Sequence, residues 1–494
     1  MSRTPSLHIS FALCSLTVCG FLAACPQVAH WFLVPVLCCG VIIGCDAVDW
    51  LLGRTDLFDP AGVIGLFGLH FFFLTPLLHV AWNSWTVAYV DPPPDWRDWL
   101  GAMAIINAGG LLLYRTARIR AATWGKDSRQ TFWRLSRQRL LLALVCGLAV
   151  SALLQVWFYA QHGGISGYIE EYSQSIGLPE ADSPFRNTAW IFMVSERFPI
   201  LAMIGFAVFC GRSRIAKSWI VLGAVLLIFF VLQMLFGGLR GSRAATIWSM
   251  LWAAGIIHFW VRPLKRNLIF PGLALLIVFM NIYSVYKEAG ADTLATLQDP
   301  SKTAELRENR ERTLDDLILG DLGRADVQAF LLYRLSMPRS DYKYALGRTY
   351  LGGLAILVPR AFLPDRPPTK VREGTEAQFG AGSWDELKWS SSKVYGLAGE
   401  ALLNFGPLIV PLAYLIFGLI VGRLQRFILH LDSGDMRLLF YPFLLTWCLQ
   451  ILISDSDDLV FALLNNGFVP SLIVWLGSRI EFQSASPSTV LQPS

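Results

Sequence analysis

The residues best suited to chemistry in this chain are arginines and one glutamate. The stretch Phe236-Gly-Gly-Leu-Arg240-Gly-Ser-Arg243 is a tight turn between two apolar runs. Its glycines let the backbone approach a ligand closely, and guanidinium is the preferred fork for phosphate oxygens. Arginines that reach toward lipid headgroups give the same pattern. Glu196-Arg197 lies inside another apolar run, just before Pro199; ionisable groups at that depth face a cavity or a partner, or simply pair with each other. A third group runs from Arg348 through Arg360, Arg366, Lys370 and Arg372. Basic residues recurring after an apolar stretch suit an anionic headgroup at a membrane surface, or a solvated loop. The fourth is Ser390-Ser-Ser-Lys393 followed by Tyr395 and Glu400-Ala-Leu-Leu-Asn404-Phe-Gly406. Glu400 and Asn404 share one helical face. A buried carboxylate there would have a raised pKa and serve as a general base; a helix-start carboxylate held by the dipole is the plainer reading.

Other chemistries lack their residues. There is no phosphate loop, HExxH, GxSxG or dinucleotide fingerprint. The seven histidines do not cluster, and the nine cysteines show no CxxC pair, so they read as small core residues. Asp455, Asp457 and Asp458 are the one carboxylate group suited to a divalent ion, and more simply a polar turn facing solvent. The expectation is no metal and no cofactor.

The elements that must position these residues are membrane spans. The chain has 494 residues, 54% hydrophobic and only 16% charged, with a mean hydropathy of +0.49. A soluble chain carries about a quarter charged residues. Twelve apolar runs approach the ~20 residues that cross a bilayer: 7–25, 31–50, 60–82, 97–114, 140–160, 188–210, 218–236, 244–261, 267–286, 396–421, 438–454 and 459–477. Alternate connections carry 20 Lys plus Arg on one side, eight of them in 115–139; the short loops opposite carry four, Arg97, Arg186, Arg240 and Arg243. Excess Lys and Arg mark the cytoplasm, so both termini are expected there. The net charge of +5 follows from this bias and gives no reason to invoke nucleic acid.

The expected organisation is an all-α polytopic membrane protein. A bundle of nine spans occupies 1–286, a large extracytoplasmic loop 287–395, three more spans 396–480 and a cytoplasmic tail 481–494. Within the loop, Thr303–Leu319 and Val327–Leu335 read as helices. Tyr344–Leu363 is apolar but interrupted by Arg348, Gly352, Gly353, Pro359 and Arg360, so it reads as an interfacial or re-entrant helix.

These features together resemble the Wzy-type O-antigen and oligosaccharide repeat-unit polymerases. The matching pieces are Phe58-Asp-Pro60, His162-Gly-Gly164, Gly238-Leu-Arg-Gly-Ser-Arg243, Val358-Pro-Arg360, Pro364-Asp-Arg-Pro367 and Glu400-x-x-x-Asn404-Phe-Gly406. They cover roughly residues 55–425, with one large loop between spans nine and ten. The resemblance implies a metal-independent, class-C-like glycosyltransferase of the bacterial inner membrane. It implies block transfer of a growing chain from undecaprenyl pyrophosphate to a lipid-linked repeat unit, and leaves room for a chain-length regulator as partner.

On that reading Arg197, Arg240, Arg243, Arg348 and Arg360 bind pyrophosphate. Arg366, Lys370, Arg372, Lys393 and Tyr395 bind the remaining substrate, and Glu400 with Asn404 serves the acceptor hydroxyl. O-antigen ligases are similar in layout but rely on a large-loop histidine, which 287–395 lacks. A transporter of the same lipid would show internal repeats and broken spans.

Overall fold

The computed structural model describes residues 5–482 apart from 88–89, 124–130, 176–184, 186–187, 241–242, 290–292, 299–315, 338–341, 359–361 and 385–392. Among the described residues, eleven helices are long and apolar enough to cross a membrane. Apolar runs of this length form helices because lipid offers the backbone no hydrogen-bond partners. Spanning helices α1 to α5 are Ser6–Ala24, Leu33–Leu51, Pro60–Trp82, Trp96–Thr123 and Arg137–Gln161. After a short helix α6, Gly164–Ser175, come α7 to α10: Trp190–Cys210, Trp219–Phe236, Arg243–Val261 and Arg266–Tyr283. Between 287 and 409, beyond the short helical segments Thr293–Gln298 and Asp316–Asp321, lie α11 Ala325–Ser336, α12 Arg348–Ala355, α13 Lys370–Phe379 and α14 Gly396–Phe405. The chain then spans again in α15 Val410–Leu429 and α17 Ser456–Leu476, flanking the shorter apolar helix α16 Tyr441–Ile453.

α16 is shorter than a span, with 13 residues. At its start the Tyr441 hydroxyl donates to Phe58 O at 2.8 Å, beside the beginning of α3. At its end Leu452 O packs on Gly396. Among the described residues, eleven helices and not the expected twelve have the length and apolarity of a span. The connections also sort geometrically. Ser6 bonds Asp49 at 2.5 Å, Arg266 donates to Thr55 O, and His258 meets Asp56 at 3.3 Å. Arg262 donates to Lys217 O, Gln425 to Asp59, and Arg437 to Thr131 O. These alternate connections and the start of α1 thus share one end. There β1 Thr131–Leu135 pairs antiparallel with β2 Ser478–Phe482, a two-stranded element that hydropathy did not signal.

Two expected boundaries move. The fourth span continues to Thr123, so Arg115 and Arg118 belong to α4 and not to a loop. Asp46 of α2 supports this, meeting Arg118 Nη2 at 2.8 Å and Arg115 Nη1 at 3.4 Å. The tenth span, expected over 396–421, is two helices. Gly406, with φ +83°, ends α14 in a conformation a side chain resists, and the span begins only at Val410.

α4 and α15 pack backbone against backbone. A Cβ on Gly418 would stand 2.3 Å from Tyr114 O, and one on Gly422 2.4 Å from Arg118 O. Small residues four apart let backbones touch, which is how helices associate where burial from water gives no driving force.

The large connection folds onto the opposite end of the bundle. Val327, Leu331, Tyr342, Ala377, Tyr395 and Leu402 share one buried core with Cys39, Ile43, Phe72 and Tyr414. Asp326 accepts from Thr86 N at 2.9 Å and Thr86 Oγ1 at 2.5 Å. The expected helix at Val327–Leu335 is present. Most of the one at Thr303–Leu319 lies outside the described residues. Among the described residues of Tyr344–Leu363, only α12 is helical, and its eight residues are too few to span. The tail after Phe482 is likewise outside.

Candidate functional site

Helices α12 and α13 wall a cleft of about 330 Å³ at the large-loop end of the bundle, lined by Tyr342, Lys343, Arg348, Arg372, Glu373 and Glu376 with Pro368 and Ala381. Arg348 opens α12 and makes a two-point contact with Glu373, Nε to Oε1 at 2.9 Å and Nη2 to Oε2 at 3.2 Å. Tyr342 donates to the same Oε2 at 2.8 Å. The acceptance of that bond by Glu373, together with burial as the larger cause, holds the Tyr342 phenol well above its usual range. Glu373 is buried, whereas the Arg348 side chain is 45% exposed, so the guanidinium keeps one face toward the cleft.

Asn404 sets where Arg348 stands. Its Oδ1 accepts Gly347 N at 2.9 Å and its Nδ2 donates to Thr349 Oγ1 at 2.7 Å. Its backbone O accepts Leu346 N at 2.9 Å. Asn404 is fully buried and so holds the first turn of α12 without reaching the cleft.

Glu400 lies one turn earlier on α14, also buried. Its Oε1 accepts from Thr349 Oγ1 at 2.6 Å and Ser456 Oγ at 2.5 Å, and its Oε2 from Ser456 N at 2.7 Å. Burial, then the nearby Asp455 carboxylate, pushes its carboxyl up to about 7. The raised value expected from sequence is there. Both oxygens, however, are engaged in joining α12, α14 and α17, and Glu400 does not line the cleft.

Asp455 is the second buried anchor. It meets Lys370 Nζ at 2.8 Å and accepts Tyr395 N and Gly396 N, each at 2.9 Å. Lys370 also donates to Lys393 O and lies 3.6 Å from the Tyr395 ring centre, while Tyr395 Oη donates to Gly374 O at 2.7 Å. Lys370 and Tyr395 are each 1% exposed. They brace α13 against α14 and α17 from beneath the cleft. The reading of Asp455–Asp458 as a solvent-facing turn fails for Asp455 and Asp457, which are buried. Oxygens of Asp455, Asp457 and Asp458 lie within 4.8 Å of one another, but the Lys370 ammonium already sits on Asp455.

Of the other basic residues, Arg372 faces the cleft with its side chain 50% exposed. Arg366 donates to Val358 O. Lys393 holds Gln378 through its backbone N at 3.2 Å. Arg360 lies outside the described residues.

The Arg240–Arg243 turn forms a separate constellation. Tyrosine hydroxyls clamp the carbonyls leading into it: Tyr159 on Leu235 O, Tyr283 on Gly238 O and Tyr286 on Leu239 O, the last at 2.9 Å. Arg243 begins α9 half-buried; the Arg240 side chain, Gly241 and Ser242 lie outside the description. Behind the turn, Arg197 pairs with Glu196 at 2.7 Å and donates to Asn466 at 2.8 Å. Both residues are buried, and the pair breaks α7 between Ser195 and Phe198. The last span links the constellations, with Ser456 under Glu400 and Asn466 against Arg197, separated by roughly 15 Å of helix rise.

Sequence reasoning missed Glu373, Glu376 and Asp455 as partners of the basic residues. The spacing of Arg372 and Glu376 at i, i+4 was a visible signal. Nothing local paired Lys370 with Asp455. It also missed a polar network at the other end, where Arg118 joins Asp46 and, at 3.0 Å, Gln425, which reaches Asp59 at 2.9 Å. No family model, no curated protein and no solved structure matches this chain.

Proposed function

We propose that this chain is a glycosyltransferase of the bacterial inner membrane that polymerises undecaprenyl-pyrophosphate-linked oligosaccharide repeat units into a surface polysaccharide. The observation supporting it most is a cleft carrying Lys343, Arg348 and Arg372 where the large connection folds onto a membrane bundle. A lipid-anchored diphosphate carries the charge opposite to theirs. Departure of pyrophosphate needs positive charge on its oxygens, and preorganised guanidinium groups supply it without a metal. In this reading Arg348 and Arg372 serve the leaving group in the cleft. Both termini and the β1–β2 end are cytoplasmic, and the cleft is periplasmic.

A second reading, a transporter of the same lipid, draws on the buried Glu196–Arg197 pair that interrupts α7, since broken spans are a transporter trait. A deletion strain separates the readings. One repeat unit per lipid on the periplasmic face is expected for a polymerase. Full-length chains retained on lipid point to a ligase, and units trapped on the cytoplasmic face to a transporter. Purified protein in proteoliposomes with lipid-linked repeat units is expected to build polymer and to keep doing so in EDTA.

A further inference from the structure

Attack by a sugar hydroxyl needs a proton acceptor within reach of the reacting atoms, and the carboxylates at this end of the molecule differ in how free they are to be one. Glu400 accepts three hydrogen bonds and is 3% exposed. Asp455 holds Lys370 and two backbone N–H groups. Glu373 is bonded through both oxygens to Arg348 and Tyr342. Glu376 is different. It lies one turn beyond Arg372 on α13 and lines the cleft. Its ion pair with Arg372 is 3.9 Å long, beyond hydrogen-bond length, and its side chain is 26% exposed.

Resting on the proposed function, we infer that Glu376, and not Glu400, is the general base of the transfer. The acceptor hydroxyl's proton passes to a Glu376 carboxylate oxygen as the hydroxyl oxygen bonds to the donor's anomeric carbon. The bond from that carbon to the pyrophosphate oxygen breaks, and its electron pair leaves with undecaprenyl pyrophosphate beside Arg348 and Arg372. Glu376 then releases the proton to water in the open cleft. The three engaged carboxylates hold the walls: Glu373 fixes Arg348, Glu400 ties α12 to α17, and Asp455 fixes α13.

The test uses full-length protein in proteoliposomes with undecaprenyl-pyrophosphate-linked repeat units, reading polymer formed per folded molecule. Glu376→Gln is expected to lower the rate by about a hundredfold or more, with lipid-linked donor binding and melting temperature unchanged. Glu376→Ala is expected to regain part of its rate in formate, a small carboxylate able to occupy the vacated space. Glu376→Gln within threefold of wild type, failure of formate to rescue Glu376→Ala, or donor binding lost along with rate would each overturn the inference. So would Glu400→Gln abolishing turnover per folded molecule while Glu376→Gln retains it. Wild-type protein that forms no polymer overturns the proposed function itself; an active wild type with an unaffected Glu376→Gln overturns only the base.

Discussion

Lys370 and Asp455 meet at 2.8 Å with their side chains 2% and 4% exposed, tying the cleft helix α13 to the start of the last span. Removing one partner of a buried pair leaves an uncompensated charge, at a cost of about 3–5 kcal/mol. Lys370→Met and Asp455→Asn are each expected to lower the melting temperature of the purified protein in detergent. Asn at 455 still offers an oxygen to Tyr395 N and Gly396 N, so the double variant is expected to melt above Lys370→Met alone. Additive losses would show that the two side chains are not coupled.

Glu400 makes stability depend on pH. Its folded carboxyl is raised from the ordinary 4.5 to about 7, first by burial and then by Asp455. The folded state therefore holds this proton more tightly than the unfolded state does. Its contribution is fully present below about 4.5 and is lost as pH rises through about 7. The melting temperature is expected to fall across that window, and the slope to flatten in Glu400→Gln. At low pH that variant is also expected to melt lower, because an amide N–H2 cannot accept Ser456 N–H, and an unmade buried hydrogen bond costs about 1–3 kcal/mol; the difference is expected to shrink as pH rises. An unchanged slope in Glu400→Gln would assign the pH dependence to another group.

Arg348 tests the need for a planar fork. Lysine keeps the charge but loses the two-point contact with Glu373 and the bidentate presentation to phosphate. Arg348→Lys is expected to reduce polymer formation by about ten- to a hundredfold, with folded yield preserved. A rate within twofold of wild type would mean that charge alone suffices, or that the leaving group is held elsewhere.

Sidedness is testable at exposed serines of the two ends. Ser213 and Ser433 lie at the β1–β2 end and Ser166 at the large-loop end, and all three are exposed. With the native cysteines replaced, Ser166→Cys is expected to react with an impermeant thiol reagent added to intact cells. Ser213→Cys and Ser433→Cys should react only after permeabilisation. The reverse pattern would invert the bundle and remove the cleft from the periplasm.

Close packing of α4 on α15 yields one more expectation. Gly418→Val would drive a side chain into Tyr114 O, 2.3 Å from the first added carbon. It is expected to lower the folded yield sharply, while Gly109→Val, where nothing lies within 4 Å, leaves it unchanged.

Much of the architecture was legible in the sequence because its causes are local. A run of some twenty apolar residues commits its own backbone to a spanning helix whatever surrounds it. The alternation of Lys and Arg between connections records which of them share an end, and the contacts of Arg266 with Thr55 and of Arg437 with Thr131 agree with that sorting. A raised Glu400 was legible for the same reason, as a carboxylate set among apolar residues.

The roles of the charged residues depended on tertiary structure, since a residue's type does not say which distant group will meet it. Lys370 reads as a surface cation until the start of α13 meets Asp455, just ahead of α17, and is buried there. Asn404 reads as a reactive amide until Gly347 and Thr349 occupy it. Arg118 reads as a loop charge until Asp46, on another helix, lets α4 run on past it. Hydropathy and spacing average over neighbours in the chain. Ion pairing inside a membrane protein is set by neighbours in space, where desolvation makes each unpaired charge too costly to keep.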